Sequence, residues 1–169
     1  MADLIETLLP TGGTVLDVGC GGGHTLAVLA GRGISGMGID PYPHGGEVPC
    51  WRLRAEEIGT LEKQFDLIYT VYSLHHFDAP RKFLREVRHV LRPAGVLLIV
   101  DWVEGARTGV REHYLAARTV ARWMVTAGFD LIRQEVREQT MVIASRQATP
   151  QKIGSVLEES RCCCRVAWT

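Results

Sequence analysis

Apolar and polar positions along the chain follow two periods, one helical and one extended. "DLIETLL" reads as a short helix, stopped by Pro10 and the Thr11-Gly12-Gly13 turn. "TVLDVG" is an apolar run of strand length, and the helix that follows, from about His24 to Ala30, is closed by Gly31 and Gly33. "ISGMGID" is a second strand ending at Asp40-Pro41, and "PYPHGGEVP" has too much proline and glycine to be anything but a loop. A short third strand is expected at Cys50 to Leu53, with a turn of helix around Ala55 to Ile58. "FDLIYTVYS" is a fourth strand, rich in β-branched and aromatic residues.

Asp78 then stands where a helix N-cap belongs, with Pro80 in the first turn. Phe83, Leu84, Val87, Val90 and Leu91 form one helical stripe, ended by "RPAG". "VLLIVDW" is a fifth strand, a helix is expected near Leu115 to Ala127 before Gly128, and "DLIRQEVREQTMVIASR" reads as two more strands. Strands alternating with helices imply an α/β fold with a mostly parallel sheet covered on both faces. The final two strands, with no helix between them, must be antiparallel neighbours. Apolar periodicity fades from Gln147, which sets one domain over 1–146 and a weakly ordered tail over 147–169.

Composition narrows the class. The 19 basic and 19 acidic residues cancel, so no global field draws the chain to nucleic acid, and a nucleic-acid partner is not expected. No apolar run reaches the ~20 residues of a membrane span, and "MADLIETLLP" lacks the basic start of a secretory signal, so a cytoplasmic address without membrane contact is expected. Five cysteines with three adjacent do not make a disulfide framework. Cys162, Cys163 and Cys164 would converge on a soft ion only in a tight turn, and no histidine stands near them as a zinc partner. They are read as an exposed tail without a fixed role, Cys20 and Cys50 as small packing residues.

Candidate chemistry starts at the glycine turn. Gly19, Gly21 and Gly23 let the backbone turn tightly and approach a ligand closely. A carboxylate at Asp17 would repel a pyrophosphate laid on the following helix, but it would welcome an amine. Asp40, ending the next strand, is placed to accept bonds from ribose hydroxyls, and Glu56 of "RAEE" to lie near a nucleobase edge. An acid, a ribose acceptor and a base site without a phosphate site describe a nucleoside that carries an amino acid.

"VLDVGCGGG", "GID", "RAEE", "FDLIYTVYSLHHF", "LREVRHVLRPAGVLLIVDW" and "AGFDLI", in this order from about Leu9 to Arg146, resemble the motifs of class I S-adenosylmethionine-dependent methyltransferases. The likeness is greatest to the small-molecule group that includes ubiquinone and menaquinone biosynthesis enzymes. The resemblance implies a single Rossmann-like, doubly wound sheet of seven strands, mostly parallel with the last strand antiparallel. It implies S-adenosyl-L-methionine as cofactor, its methionine part held by Gly19, Cys20, Gly21 and Gly23, with Asp17 near the amino group. Asp40 would take the ribose, Pro41 would lie against the adenine, Ala55 and Glu56 would flank it, and Val71 and Tyr72 would line the sulfonium side. No metal is expected.

Methyl transfer from a sulfonium is an SN2 displacement, and a base is needed only where the nucleophile loses a proton. His75 and His76 of "YSLHHF" are the candidate catalytic residues, suited to proton removal near neutral pH. Asp101 and Trp102 end the fifth strand at the same edge, and His113 and Tyr114 are further candidates. The acceptor is expected to be a small molecule. The alternatives are a non-catalytic cofactor- or partner-binding module on the same fold, and a nicotinamide dehydrogenase, which Asp17 disfavours. "RKFLREVRHVLR" carries five Lys/Arg against one Glu on the side opposite its apolar stripe and reads as a solvated face. Relatives of this type cover the substrate with extra helices before the first strand or with an insertion after the fifth. The stretches here, about thirteen residues before the first strand and Val103 to Glu112 after the fifth, are short. A second subunit (a homodimer), the tail or another partner would have to close that side.

Overall fold

A computed structural model describes residues 1–44, 46 and 48–148. Its elements are α1 (Ala2–Leu8), β1 (Thr14–Val18), α2 (His24–Gly31), β2 (Ser35–Asp40), β3 (Cys50–Arg52), β4 (Phe65–Val71), α3 (Pro80–Val90), β5 (Leu91–Trp102), α4 (Ala117–Thr126), β6 (Phe129–Arg137) and β7 (Thr140–Gln147). Two 3-10 turns, Ala55–Thr60 and Leu74–His76, follow β3 and β4.

The strands form one seven-stranded sheet in the order β3-β2-β1-β4-β5-β7-β6. β1, β2, β3, β4 and β5 are parallel neighbours, and β7 runs antiparallel to both β5 and β6. The chain winds outward from β1 in one direction and from β4 in the other. The crevice between those two carboxyl ends is where such a sheet takes its ligands.

Alternation along the strands builds a core on each face. Leu16, Ile68, Leu97 and Ile99 pack with Phe83, Leu84 and Val87 of α3 and Val120 and Met124 of α4. Val15, Leu67, Leu98 and Val100 pack with Ile5 of α1 and Leu26 and Leu29 of α2. Both faces are filled, which is why these strands read as unbroken apolar runs.

Four details differ from the sequence reading. Asp78 does not cap α3; its N-cap is Ala79, and the Ala79 N–H is taken by the Glu56 carboxylate at 2.9 Å while Asp78 pairs with Arg54. The "RPAG" stretch lies within β5: Leu91 already pairs with Phe65, and the register shifts before Val96 pairs with Leu67. Helix α4 starts at Ala117 rather than Leu115, because Leu115 forms a bridge with Val103 and Tyr114 is buried, so both pin the preceding loop. Gln147, assigned by sequence to the tail, ends β7, and its side-chain amide donates to the carbonyls of Arg88 and Leu91. Cys162, Cys163 and Cys164 lie outside the described residues. Among the described residues no helix is long and apolar enough to cross a membrane.

Candidate functional site

The turn after β1 is tied to β2. The N–H groups of Gly19 and Cys20 both donate to the Ile39 carbonyl, at 2.8 and 3.1 Å, and Gly23 N–H closes back on Cys20. Gly19, Gly21 and Gly23 all have positive φ, at 80°, 50° and 73°. At Gly19 the requirement for glycine is double, since a Cβ there would lie 2.5 Å from the Ser73 Cβ. At Gly21 a Cβ would meet nothing within 4 Å, so the turn shows bare backbone to open space. The Cys20 side chain faces inward, against Gly38, and burial pushes its thiol well above the ordinary range. It packs, as Cys50 does beside Gly23, and only its backbone is left to a ligand.

Asp17, one residue before the end of β1, is 4% exposed. Desolvation pushes its carboxyl up to about 7, opposed by the neighbouring Tyr69 hydroxyl and reinforced by the charge of Asp40. A buried carboxyl in this state is stabilised by a cation, and the α-amino group of an amino acid supplies one. Asp40 ends β2 and accepts the N–H of Gly21 at 2.9 Å through one oxygen and that of Tyr42 at 2.7 Å through the other. A carboxylate has about four lone-pair sites, so two remain for hydroxyl groups.

Beside Asp40 opens a cavity of about 550 Å³, lined by Gly19, Asp40, Pro41, Tyr42, Leu53, Arg54, Ala55, Glu56, Ser73, His76, Phe77 and Asp78. Of the residues singled out by sequence, Gly19, Asp40, Pro41, Ala55, Glu56 and His76 therefore share one cleft. Asp17, Cys20, Gly21 and Gly23 do not line it. Val71 and Tyr72, expected at the sulfonium side, do not line it either. The chain turns sharply at Tyr72, whose φ is 51°, so the ring leaves the cleft and stacks on Trp102 with centroids 4.5 Å apart. Ser73 lines the cleft instead, its hydroxyl 3.1 Å from the Gly19 carbonyl. Ser73, Phe77, Leu53 and Tyr42 were missed because nothing local marks them; only their convergence on one opening does.

The histidine pair ends the short 3-10 turn that follows β4. Asp101, fully buried at the end of β5, receives the His75 ring Nδ1 at 2.7 Å, the His75 backbone N–H at 3.0 Å and the Trp102 N–H at 2.7 Å. The His75 side chain is 3% exposed, and its Nε2 lies 3.3 Å from the Glu112 carboxylate. His76 is 59% exposed, with its Nε2 3.8 Å from the other Glu112 oxygen. Tyr114 donates to Glu112 at 2.8 Å, and this bond leads the influences that hold Glu112 below its ordinary value. The loop after β5 thus folds over His75. His75 stands with both ring nitrogens facing carboxylates and is not an open base, whereas His113 is exposed. Asp101 was noted in the sequence only as a strand end; Glu112 carried no signal at all.

Comparison with known proteins adds the following. The methyltransferase-domain family matches residues 1–134. The tRNA U34 carboxymethyltransferase of Syntrophotalea carbinolica is 28% identical over 166 residues, covering 82% of this chain and 51% of that protein. The ubiquinone biosynthesis O-methyltransferase of Ruegeria pomeroyi is 29% identical over 124 residues, covering 65% of this chain and 49% of that one. The chain spans about half the length of these curated relatives. Among solved structures, a SAM-dependent methyltransferase from Aquifex aeolicus superposes with a TM-score of 0.69 at 24% identity, over 86% of this chain and 88% of its own. Relatives named for tRNA stand beside relatives named for quinone synthesis, so the cancelling charge of this chain does not decide the acceptor class.

Proposed function

The chain belongs to the methyltransferase-domain family, an S-adenosylmethionine-dependent class, and from that premise we propose that it methylates a small-molecule acceptor. One observation carries the reading: a glycine turn of bare backbone has a protonatable buried acid, Asp17, just before it and a half-satisfied acid, Asp40, at the lip of a 550 Å³ cleft. That set fits S-adenosylmethionine: a cation for Asp17, ribose hydroxyls for Asp40, and a planar base between Leu53, Ala55 and Phe77. Bound there, the cofactor supplies a methyl group activated by its sulfonium.

The chain's own residues orient and enclose. Asp40 and the Gly21 N–H share one bond network, so ribose contact and turn geometry are set together. Glu56 gives one oxygen to the start of α3, which fixes its other oxygen at the cleft wall. Tyr72, stacked on Trp102, and His76 are exposed aromatic groups after β4, with His75 and Tyr114 buried against the pair, in keeping with a compact organic acceptor. Where the acceptor loses a proton, exposed His76 at the cleft is the open group, with His75 held between Asp101 and Glu112.

Calorimetry with S-adenosylmethionine and with NAD, followed by transfer of labelled methyl to phenolic and quinol acceptors and to bulk tRNA, tests this. Binding of S-adenosylmethionine with label in the small acceptors is expected. Binding of NAD alone would overturn the cofactor assignment, label in tRNA only would overturn the acceptor class, and cofactor binding without transfer to any acceptor would favour a binding module.

A further inference from the structure

Beside the cleft, His75, His76 and Glu112 each present a ligand atom, all within 4.8 Å of one another. We propose that these three side chains form a binding site for a divalent transition metal of zinc type, with one coordination position left for an oxygen donor of the acceptor.

The argument begins at the buried end. Asp101 accepts the Nδ1–H of His75, which puts the lone pair of the neutral ring on Nε2 and fixes the plane of the ring. Histidines that bind metals are oriented in this way, by a carboxylate behind the far nitrogen. That nitrogen lies 3.3 Å from the Glu112 carboxylate, which is itself a lone-pair donor. Two such groups face each other favourably only with a cation between them. If that cation were a proton, the charge-assisted bond would draw the atoms to about 2.7–2.9 Å. With metal bonds of about 2.0–2.1 Å in a tetrahedron, neighbouring donor atoms lie about 3.3 Å apart. The observed separation is the edge of a coordination tetrahedron.

His76 Nε2 is 3.8 Å from the other oxygen of Glu112, and His76, being mostly exposed, is free to turn its ring toward the oxygen that faces His75, so that Glu112 serves as a one-oxygen ligand. Tyr114, bonded in turn to Thr108, donates at 2.8 Å to the same Glu112 oxygen that faces His75, which orients this ligand oxygen as Asp101 orients the ring. Two imidazoles and one carboxylate with a corner left over is the donor set of hydrolytic zinc centres rather than of closed structural ones. His76 also lines the cleft, so the remaining corner faces the acceptor side. An oxygen bound there would have its pKa lowered and be held in position at once. With metal present, His76 is a ligand and no longer a base, so the two roles are exclusive. The functional consequence rests on the methyltransferase reading; metal binding itself does not.

Cobalt(II) titration of the full chain, purified without a polyhistidine tag and stripped with chelator, tests the site without turnover. One equivalent should bind with visible d–d absorption of four- or five-coordinate intensity, and zinc should displace it. His76→Ala and Glu112→Gln should each weaken binding at least 10-fold. Asp101→Asn should weaken it 10- to 100-fold, the range for lost outer support. A variant with Cys162, Cys163 and Cys164 changed to serine should bind as the parent does. A cobalt spectrum carrying thiolate charge-transfer bands, abolished by the serine variant and intact in His76→Ala, would overturn the proposal. So would the absence of stoichiometric binding in the folded parent. Because cofactor affinity is measured separately, loss of the metal site and failure of the methyltransferase reading are told apart.

Discussion

Replacing Asp17 by asparagine should stabilise the cofactor-free protein while weakening its cofactor. The carboxyl has an ordinary value of 3.8 and is pushed up to about 7 in the fold, chiefly by desolvation. Between those two pH values the folded state binds more protons than the unfolded one, so stability falls as pH rises. The difference of about 3 pH units corresponds to about 4 kcal/mol at 1.36 kcal/mol per unit, as an upper figure. Below pH 4 the neutral carboxyl and the amide are near equivalents, and the two proteins should unfold at similar urea concentrations. Above pH 7 the variant should be the more stable by up to about 4 kcal/mol. Glu112 and Glu135, held below their ordinary values, give the opposite slope, lost as pH falls through their folded values, but they are common to both proteins and cancel in the difference. Urea unfolding of both proteins from pH 4 to 8, with fluorescence as the signal, reads this difference directly. A gap that does not change with pH would refute the reasoning. The ligand gives an independent check: a bound ammonium ionises Asp17, so S-adenosylmethionine binding should release about 0.9 proton more from the parent than from the asparagine variant at pH 6, and less than about 0.1 more at pH 8, the ligand amine's own proton uptake cancelling in the difference. Calorimetry in two buffers of different ionisation enthalpy measures that number, and the asparagine variant should release none from this site.

Asp40→Ala should weaken S-adenosylhomocysteine binding by about 1.5–3 kcal/mol, the range for hydrogen bonds to a charged group. It also frees the N–H groups of Gly21 and Tyr42; unchanged affinity in the folded variant, by calorimetry, would remove Asp40 from the ribose site. Gly19→Ala should lower the melting temperature, because alanine at a φ of 80° costs about 1–2 kcal/mol and its Cβ would press on Ser73 at 2.5 Å. Adding Ser73→Gly should restore part of the loss, and no recovery in the double variant would show that the clash is not the cause.

What was legible in the sequence was whatever is set by a residue and its near neighbours. Val15, Leu16 and Val18 are apolar on both sides and therefore form a covered central strand, and the glycines that follow take left-handed conformations open to them at no steric cost. Asp17 and Asp40 stand at or next to the ends of adjacent strands, so their meeting at one edge follows from the parallel winding. Boundaries were less legible where tertiary contacts compete with local preference. Asp78 is a good N-cap by type, yet Arg54 takes its carboxylate and buried Glu56 takes its task. Leu115 suits a helix, yet the pairing with Val103 holds it extended. Tyr72 lies on the strand that leads to the cleft, yet one left-handed residue turns its ring onto Trp102.

The sequence by itself determined the doubly wound sheet, the glycine turn and the two acids beside it, because hydrophobic period and glycine stereochemistry act within a few residues. Only the tertiary structure decided the environment of the histidine pair. His75 and Asp101 meet because β4 and β5 lie side by side and end together, and Glu112 reaches them because the loop after β5 is pinned by Tyr114 and Leu115. Those contacts join residues far apart in the chain, where packing of the whole domain, not local preference, sets which groups face each other.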